Sequence, residues 1–193
     1  MPHELSSSDQ RQVSISSLVP YLFITFGLAW GILGLYIFQN DQMTAVFGPI
    51  SGSHPLFVLA VYSPAIAAFM VVLHGGGFDG FKRYLSRLLL WRCSLGWYVF
   101  VLLGIPVIYF AGSGVKGNLF HTPFPFSGMG PMLSAMAFML FLGPVEEFGW
   151  RGVALPLLQR RLAPIWAGLV LGLVWGVWHL PAFFLSGTPQ SAW

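Results

Sequence analysis

The chain is built from apolar stretches of about 20 residues, the length a helix needs to cross a hydrocarbon layer about 30 Å thick. They lie near residues 18–38, 55–74, 95–112, 129–148 and 164–185. In hydrocarbon every backbone polar group must find its partner within the segment, so this pattern predicts helices rather than open sheet. Composition agrees: 56% hydrophobic, 17% aromatic and 8% charged residues leave too little polar surface to cover a soluble domain. The expected fold is all-α, a polytopic transmembrane helical bundle of about five spans. Residues 1–17 form a polar tail, and residues 18–193 form the membrane domain. The first apolar run has no small-residue cleavage site before the second, so it reads as an uncleaved span. Pro64, Pro106, Pro131 and Pro144 fall inside spans, where neighbouring helices can take up the backbone groups they free.

The net charge of +3 comes from 9 basic and 6 acidic side chains and is informative by position. If the spans alternate from an inside N-terminus, Arg11, Lys82, Arg83, Arg87, Arg92, Arg160 and Arg161 share one side. Lys116, Asp41 and His121 are left on the other. The expectation is a cytoplasmic N-terminus in a bacterial inner or plasma membrane, with lipids as partners and nucleic acid a poor reading of the basic balance. The single Cys93 excludes an internal disulfide or a thiolate metal cluster within one chain. Residues 78–93 (FDGFKRYLSRLLLWRC) place Phe81, Tyr84, Leu85, Leu88 and Leu89 on one stripe, with the basic residues largely elsewhere. This predicts an amphipathic helix lying in an anionic interface, with a solvated loop helix as the alternative. Segment 153–161 (VALPLLQRR) reads as a second interfacial or re-entrant turn.

Three charges interrupt the apolar pattern at Glu146, Glu147 and Arg151, in EEFGWR. Ionisable groups are expensive within a membrane segment, so this cluster is the first candidate for chemistry. On a helix Glu147 and Arg151 are four apart and can pair, while Glu146 points about 100° away from Glu147. The spacing assigns two jobs: one carboxylate held by the arginine, the other free to accept a proton from water. A helix-end salt bridge with Glu146 snorkelling to the interface is the structural alternative. His179, in WGVWHLPAFF, can serve as acid, base, oxyanion donor or metal ligand, or simply as an inter-helix hydrogen-bond partner. Trp175, one turn earlier, either walls the same pocket or packs as an ordinary aromatic. Read as straight rods, the fourth span ends near Glu146 on the inside and the fifth carries His179 outward. The two then meet only if bends at Pro144 and Pro181 allow it. The chain has no HExxH, no GxSxG, no Gly-rich phosphate loop and no cysteine beside a histidine. His54, His74 and His121 sit near span ends or in loops, where interface placement explains them.

At EEFGWR and WGVWH the chain resembles the CPBP family of intramembrane proteases, which includes CAAX prenyl endopeptidases and bacteriocin-processing or immunity proteins. The family's Glu-Glu-x-x-x-Arg motif is matched by Glu146, Glu147 and Arg151. Its Phe-x-x-x-His motif is matched by Trp175 and His179, with tryptophan in the aromatic place. The resemblance is strongest from residue 131 to 193. It implies that Glu146 and His179 activate a water to attack a peptide bond of a membrane-associated or prenylated protein, with Glu147, Arg151 and Trp175 in support. It also implies either Zn2+, with Glu146 and His179 as candidate ligands, or a metal-independent route; a catalytic zinc ordinarily takes three protein ligands. A third motif, His-x-x-x-Asn or similar, has no counterpart here. The chain is therefore expected to be a truncated, incomplete or divergent form of such a protease. Two other classes compete: a non-catalytic interaction or immunity protein, and a proton-coupled transporter, which the lack of an internal repeat disfavours.

Overall fold

The computed structural model describes residues 13–87, 92–117, 127–188 and 190, and all the regular structure among them is helical. Among the described residues four stretches are long and apolar enough to cross a membrane: Ile15–Phe38, Ser63–Ser86, Leu95–Val115 and Pro164–Phe184. The protein is an integral membrane protein with an all-α fold. Apolar side chains cover its outside as well as its core, with Phe23 80%, Phe38 85% and Leu173 72% exposed. A soluble monomer rarely presents apolar surface on that scale.

Residues 1–85 and 140–193 form one compact unit. Helix α1 (Leu18–Phe38) runs through it, burying Tyr21, Thr25, Ala29, Leu33 and Tyr36 along one stripe at helical spacing. The short α2 (Asn40–Phe47) follows, and then α3 (Pro55–Val61), capped by the His54 ring, which accepts the Leu56 N–H. The other ring nitrogen of His54 contacts the Phe47 carbonyl at 2.9 Å, so this histidine serves as a structural cap. The expected span at 55–74 is split at Tyr62, since Pro64 has no N–H to continue the α3 ladder. Helix α4 (Ser63–Ser86) then carries the path further than expected and breaks at Gly77, whose φ of 61° is open to glycine.

Beyond that break the helix puts Phe81 and Tyr84 inward and leaves Lys82 and Arg87 exposed. Phe81 and Tyr84 pack on Phe69, with ring centroids 5.3 and 6.2 Å away. Leu88 and Leu89 of the expected amphipathic stripe lie outside the described residues, as do Arg11 and His121.

Residues 86–139 form the second unit. In it α5 (Leu95–Val99) passes through a π-helical turn at Phe100–Gly104 into α6 (Ile105–Val115), and none of these residues is buried. Most of α7 (Met129–Leu142) also belongs here.

The stretch expected as one span at 129–148 is not a single rod: a turn at Gly143–Pro144 separates α7 from α8 (Val145–Gly149). Nor does the helix end there. It continues through a π-helical turn at Trp150–Ala154 into α9 (Leu155–Leu158) and only then reverses at 159–163. Residues 153–158 therefore continue the helix, in place of the expected re-entrant turn. Both π turns stand two residues before a proline, Pro106 or Pro156. A proline cannot donate to the carbonyl four residues back, and the wider turn absorbs the missing bond. Helix α10 (Pro164–His179) packs back along α9, and Pro181 closes it into a 3₁₀ turn at Leu180–Phe184 that rests on α1.

Candidate active site

The hairpin of α8–α9 and α10 resolves the depth problem that straight rods posed. From Glu146 the path descends about 18 Å to Leu158, and from Pro164 it climbs about 22 Å to His179, at 1.5 Å per residue. The two side chains therefore come level without sharp bends, and both line one pocket.

Glu146 and Glu147 occupy the first turn of α8, where unpaired N–H groups and the helix dipole favour carboxylates. Gly143–Pro144 fixes where that turn begins. Glu147 forms an ion pair with Arg151. Glu146 faces α10 instead and accepts a hydrogen bond from the Trp175 indole N–H at 3.1 Å. Trp175 also presents its ring face to the Arg151 guanidinium at 5.8 Å. It is thus the side chain between the two halves of the acidic motif, a donor role that the packing reading did not anticipate.

His179 closes α10. Its Nδ1 lies 2.9 Å from the Trp175 carbonyl, which can only accept, so Nδ1 carries the proton and Nε2 of the neutral ring is an acceptor. The ring also meets Trp175 and Trp178 edge-on, at 5.2 and 4.8 Å. Trp30 of α1 donates to the Trp178 carbonyl at 3.2 Å and pins this end of α10 to α1.

Close packing holds α8 in place. Gly149 is buried where α8 crosses α1 and α4, so close that an added Cβ would lie 2.5 Å from Pro64 Cβ, Pro64 O and the Tyr21 hydroxyl. Trp150, 1% exposed, wedges edge-on against Tyr21 at 5.7 Å and Trp178 at 5.9 Å. The Tyr84 hydroxyl donates to the Phe148 carbonyl.

Ala29 and Leu33 of α1, Phe57, Ala60 and Val61 around α3, and Trp178, Ala182 and Gln190 complete the pocket with Glu146 and His179. The volume open to the centres of water molecules is about 30 Å³, room for about two waters. Sequence reading missed the α1 and α3 walls, whose only signal is small residues on a helical stripe, and it missed Gln190. Among the described residues no three His, Cys, Asp or Glu side chains cluster as metal ligands. Glu146 and His179 offer two donors where a catalytic zinc ordinarily takes three. These residues alone do not make a zinc site.

A family model matches the region that carries these residues. The profile of Type II CAAX prenyl endopeptidase Rce1-like proteins matches residues 128–192. The CAAX prenyl protease 2 of Methanococcus maripaludis is 33% identical over 90 residues, 47% of this chain and 31% of its own length. The chain thus spans under a third of that relative. No solved structure matches. Residues 128–192, about a third of this chain, carry Glu146, Glu147, Arg151, Trp175 and His179 and are similar to the Rce1-like CAAX proteases.

Proposed function

We propose that this protein is an intramembrane endopeptidase that hydrolyses a peptide bond using a water held between Glu146 and His179. The observation that carries the reading is the shared pocket: two hydrogen-bond acceptors on one water-sized cavity, the carboxylate oriented by Trp175. A water donating one proton to the free carboxylate oxygen and the other to His179 Nε2 has its lone pairs turned toward a carbonyl carbon. Glu146 takes a proton as the water oxygen adds, and that proton then passes to the leaving nitrogen as the C–N bond breaks. Glu147 and Arg151 form the structural pair, and Arg151 steadies the Trp175 ring from its far face. Membrane lipids are the immediate partners, and the substrate is a peptide or lipidated protein delivered from the bilayer. A prenylated C-terminus is the first class to try, given the names of the similar proteins. The N-terminus lies on the cytoplasmic side, and residues 78–93 rest on the anionic leaflet through their basic face.

The test is cleavage of internally quenched peptides, with and without a prenylated C-terminal cysteine, by the protein in liposomes, in the presence and absence of a chelator. Glu146→Gln is expected to lower turnover by about 10²- to 10⁴-fold while the protein remains folded. Cleavage that survives Glu146→Gln refutes the mechanism, and a folded wild-type protein that cleaves no peptide moves the assignment to an interaction or immunity role.

A further inference from the structure

Tyr84 meets the acid-bearing helix at the point where its geometry changes. It lies beyond the break at Gly77, near the end of α4, and is 7% exposed. Its hydroxyl donates to the Phe148 carbonyl. Its ring also closes on Gly152, where an added Cβ would stand 2.6 Å from the hydroxyl and 3.1 and 3.2 Å from two ring carbons. Tyr84 therefore spans one turn of helix, from 148 to 152. The ring is itself held: Phe69 meets it at 6.2 Å, Phe81 stacks beside it at 6.5 Å, and Phe69 packs on Phe148 at 5.9 Å. A hydroxyl on a ring locked by packing is a fixed point for the helix it touches.

The hydrogen-bond ladder changes step across that turn. The Trp150 N–H bonds the Glu146 carbonyl four residues back, whereas the Leu155 N–H bonds the Trp150 carbonyl five residues back. The π turn thus carries one residue more than a regular helix, and one residue is about 100° of rotation. With α9 held in place, a regular ladder through 150–154 would advance every earlier side chain by one position. Glu147 would then take the direction that Glu146 has toward α10, and Phe148 the direction of Glu147. The change of step therefore decides which carboxylate faces Trp175 and His179. Two groups act on it. Pro156 withholds the N–H that a regular ladder would use, and Tyr84 binds the carbonyl just before the change.

We propose that Tyr84 is a positioning residue. By holding the Phe148 carbonyl and filling the notch at Gly152, it keeps the register in which Glu146, and not Glu147, faces the pocket. It acts through α8 and not on the reacting atoms. Its part in catalysis rests on the hydrolytic reading of the pocket; its effect on helix register does not.

The experiment pairs turnover with a measurement of helix orientation, with thermal unfolding as a check on each variant. In a Cys93→Ser background, Glu146→Cys/His179→Cys and Glu147→Cys/His179→Cys are cross-linked with a short thiol reagent, with and without Tyr84→Phe. The 146–179 pair is expected to react faster. Tyr84→Phe should lower the ratio of the two rates about two- to tenfold, the population shift that losing one hydrogen bond allows. In liposomes, Tyr84→Phe should cut kcat about tenfold on the quenched peptide that wild type cleaves fastest, with KM little changed. Gly152→Ala drives its Cβ against the same hydroxyl, so the double change with Tyr84→Phe should lose less than the product of the two single losses. An unchanged cross-linking ratio in folded Tyr84→Phe overturns the register role. A kcat within about threefold of wild type, or a loss confined to KM, overturns the positioning role. If wild type cleaves no peptide, or Glu146→Gln still cleaves, the hydrolytic reading falls and takes the positioning role with it, while the cross-linking ratio still decides whether Tyr84 sets the register.

Discussion

Gly149→Ala is the sharpest test of how the site is held. The new Cβ would stand 2.5 Å from Pro64 Cβ, Pro64 O and the Tyr21 hydroxyl, where ordinary contact begins near 3.4 Å. Neither neighbour can step aside: the proline atoms are fixed to the α4 backbone, and Tyr21 is fully buried beneath Trp150. Helix α8 must therefore withdraw by about 1 Å from two helices at once, an overpacking that costs about 1–3 kcal/mol. Alanine recovers about 1 kcal/mol of helix propensity, so the net loss is about 0–2 kcal/mol. Gly31 in α1 and Gly168 in α10 are the controls, because an added Cβ meets nothing within 4 Å at either. There the propensity gain stands alone, and stability should rise by about 0.5–1 kcal/mol. Unfolding of the three variants in mixed micelles by increasing SDS gives the order directly. A Gly149→Ala protein as stable as Gly31→Ala would refute the close crossing of α8 with α1 and α4. Because Glu146 lies one turn from Gly149, the same 1 Å shift should also cut peptide cleavage about 100-fold.

Two further substitutions separate the roles around the acidic motif. Trp175→Phe keeps a ring against His179 and Arg151 but deletes the donor to Glu146. A hydrogen bond to a charged group is worth about 1.5–3 kcal/mol, so kcat/KM should fall about 10- to 100-fold in wild type and hardly at all in a Glu146→Gln background. Equal effects in both backgrounds would show that the indole N–H acts elsewhere. For the Glu147–Arg151 pair, Arg151→Gln alone should destabilise more than the double change Glu147→Gln/Arg151→Gln, because the single change strands a carboxylate. Both side chains are partly exposed, so the coupling measured in the same SDS titration should be about 0.5–1 kcal/mol, and strict additivity would refute the pairing.

Span existence was legible in the sequence because a hydrocarbon-crossing helix requires a minimum apolar length, and residues 18–38, 95–112 and 164–185 each recur as long helices. Boundaries were not, because they depend on which backbone bonds the prolines remove. Pro64 divides the expected second span, and Pro144 with Gly143 divides the fourth. Pro156 does the opposite: its missing bond is absorbed by a π turn, so the helix runs on where the sequence reads as a turn. The separation of Glu146 from Glu147 followed from the 100° helical step, since both lie in one helical turn. The meeting of Glu146 with His179 could not follow from straight spans, because it depends on the length of α9 beyond the motif. Gln190 carries no local signal at all; a turn tied to Gly52 and Ala182 brings it in.

Only one helical turn, Trp175 to His179, joins the two motifs chemically, and the interval of four residues is what makes this work. At that spacing the Trp175 carbonyl lies within reach of His179 Nδ1, as any carbonyl does for the residue one turn on. That bond fixes the proton on Nδ1 and leaves Nε2 unprotonated for a water. The same tryptophan sends its indole N–H across to Glu146 and turns its face to Arg151. An aromatic without an N–H at 175 would preserve the histidine tautomer, which depends on the backbone carbonyl, while losing the orientation of the carboxylate. A histidine moved to 178 or 180 could meet the carbonyl of residue 174 or 176 in the same way, but its ring would turn about 100° away from the face that Trp175 and His179 share. The two features are therefore separable: the interval keeps the imidazole and the indole on one face, and the indole orients Glu146, the acid-base group of the proposed mechanism. This is why tryptophan in the aromatic place of Phe-x-x-x-His is, in this chain, a chemical addition to the motif as well as a packing substitute.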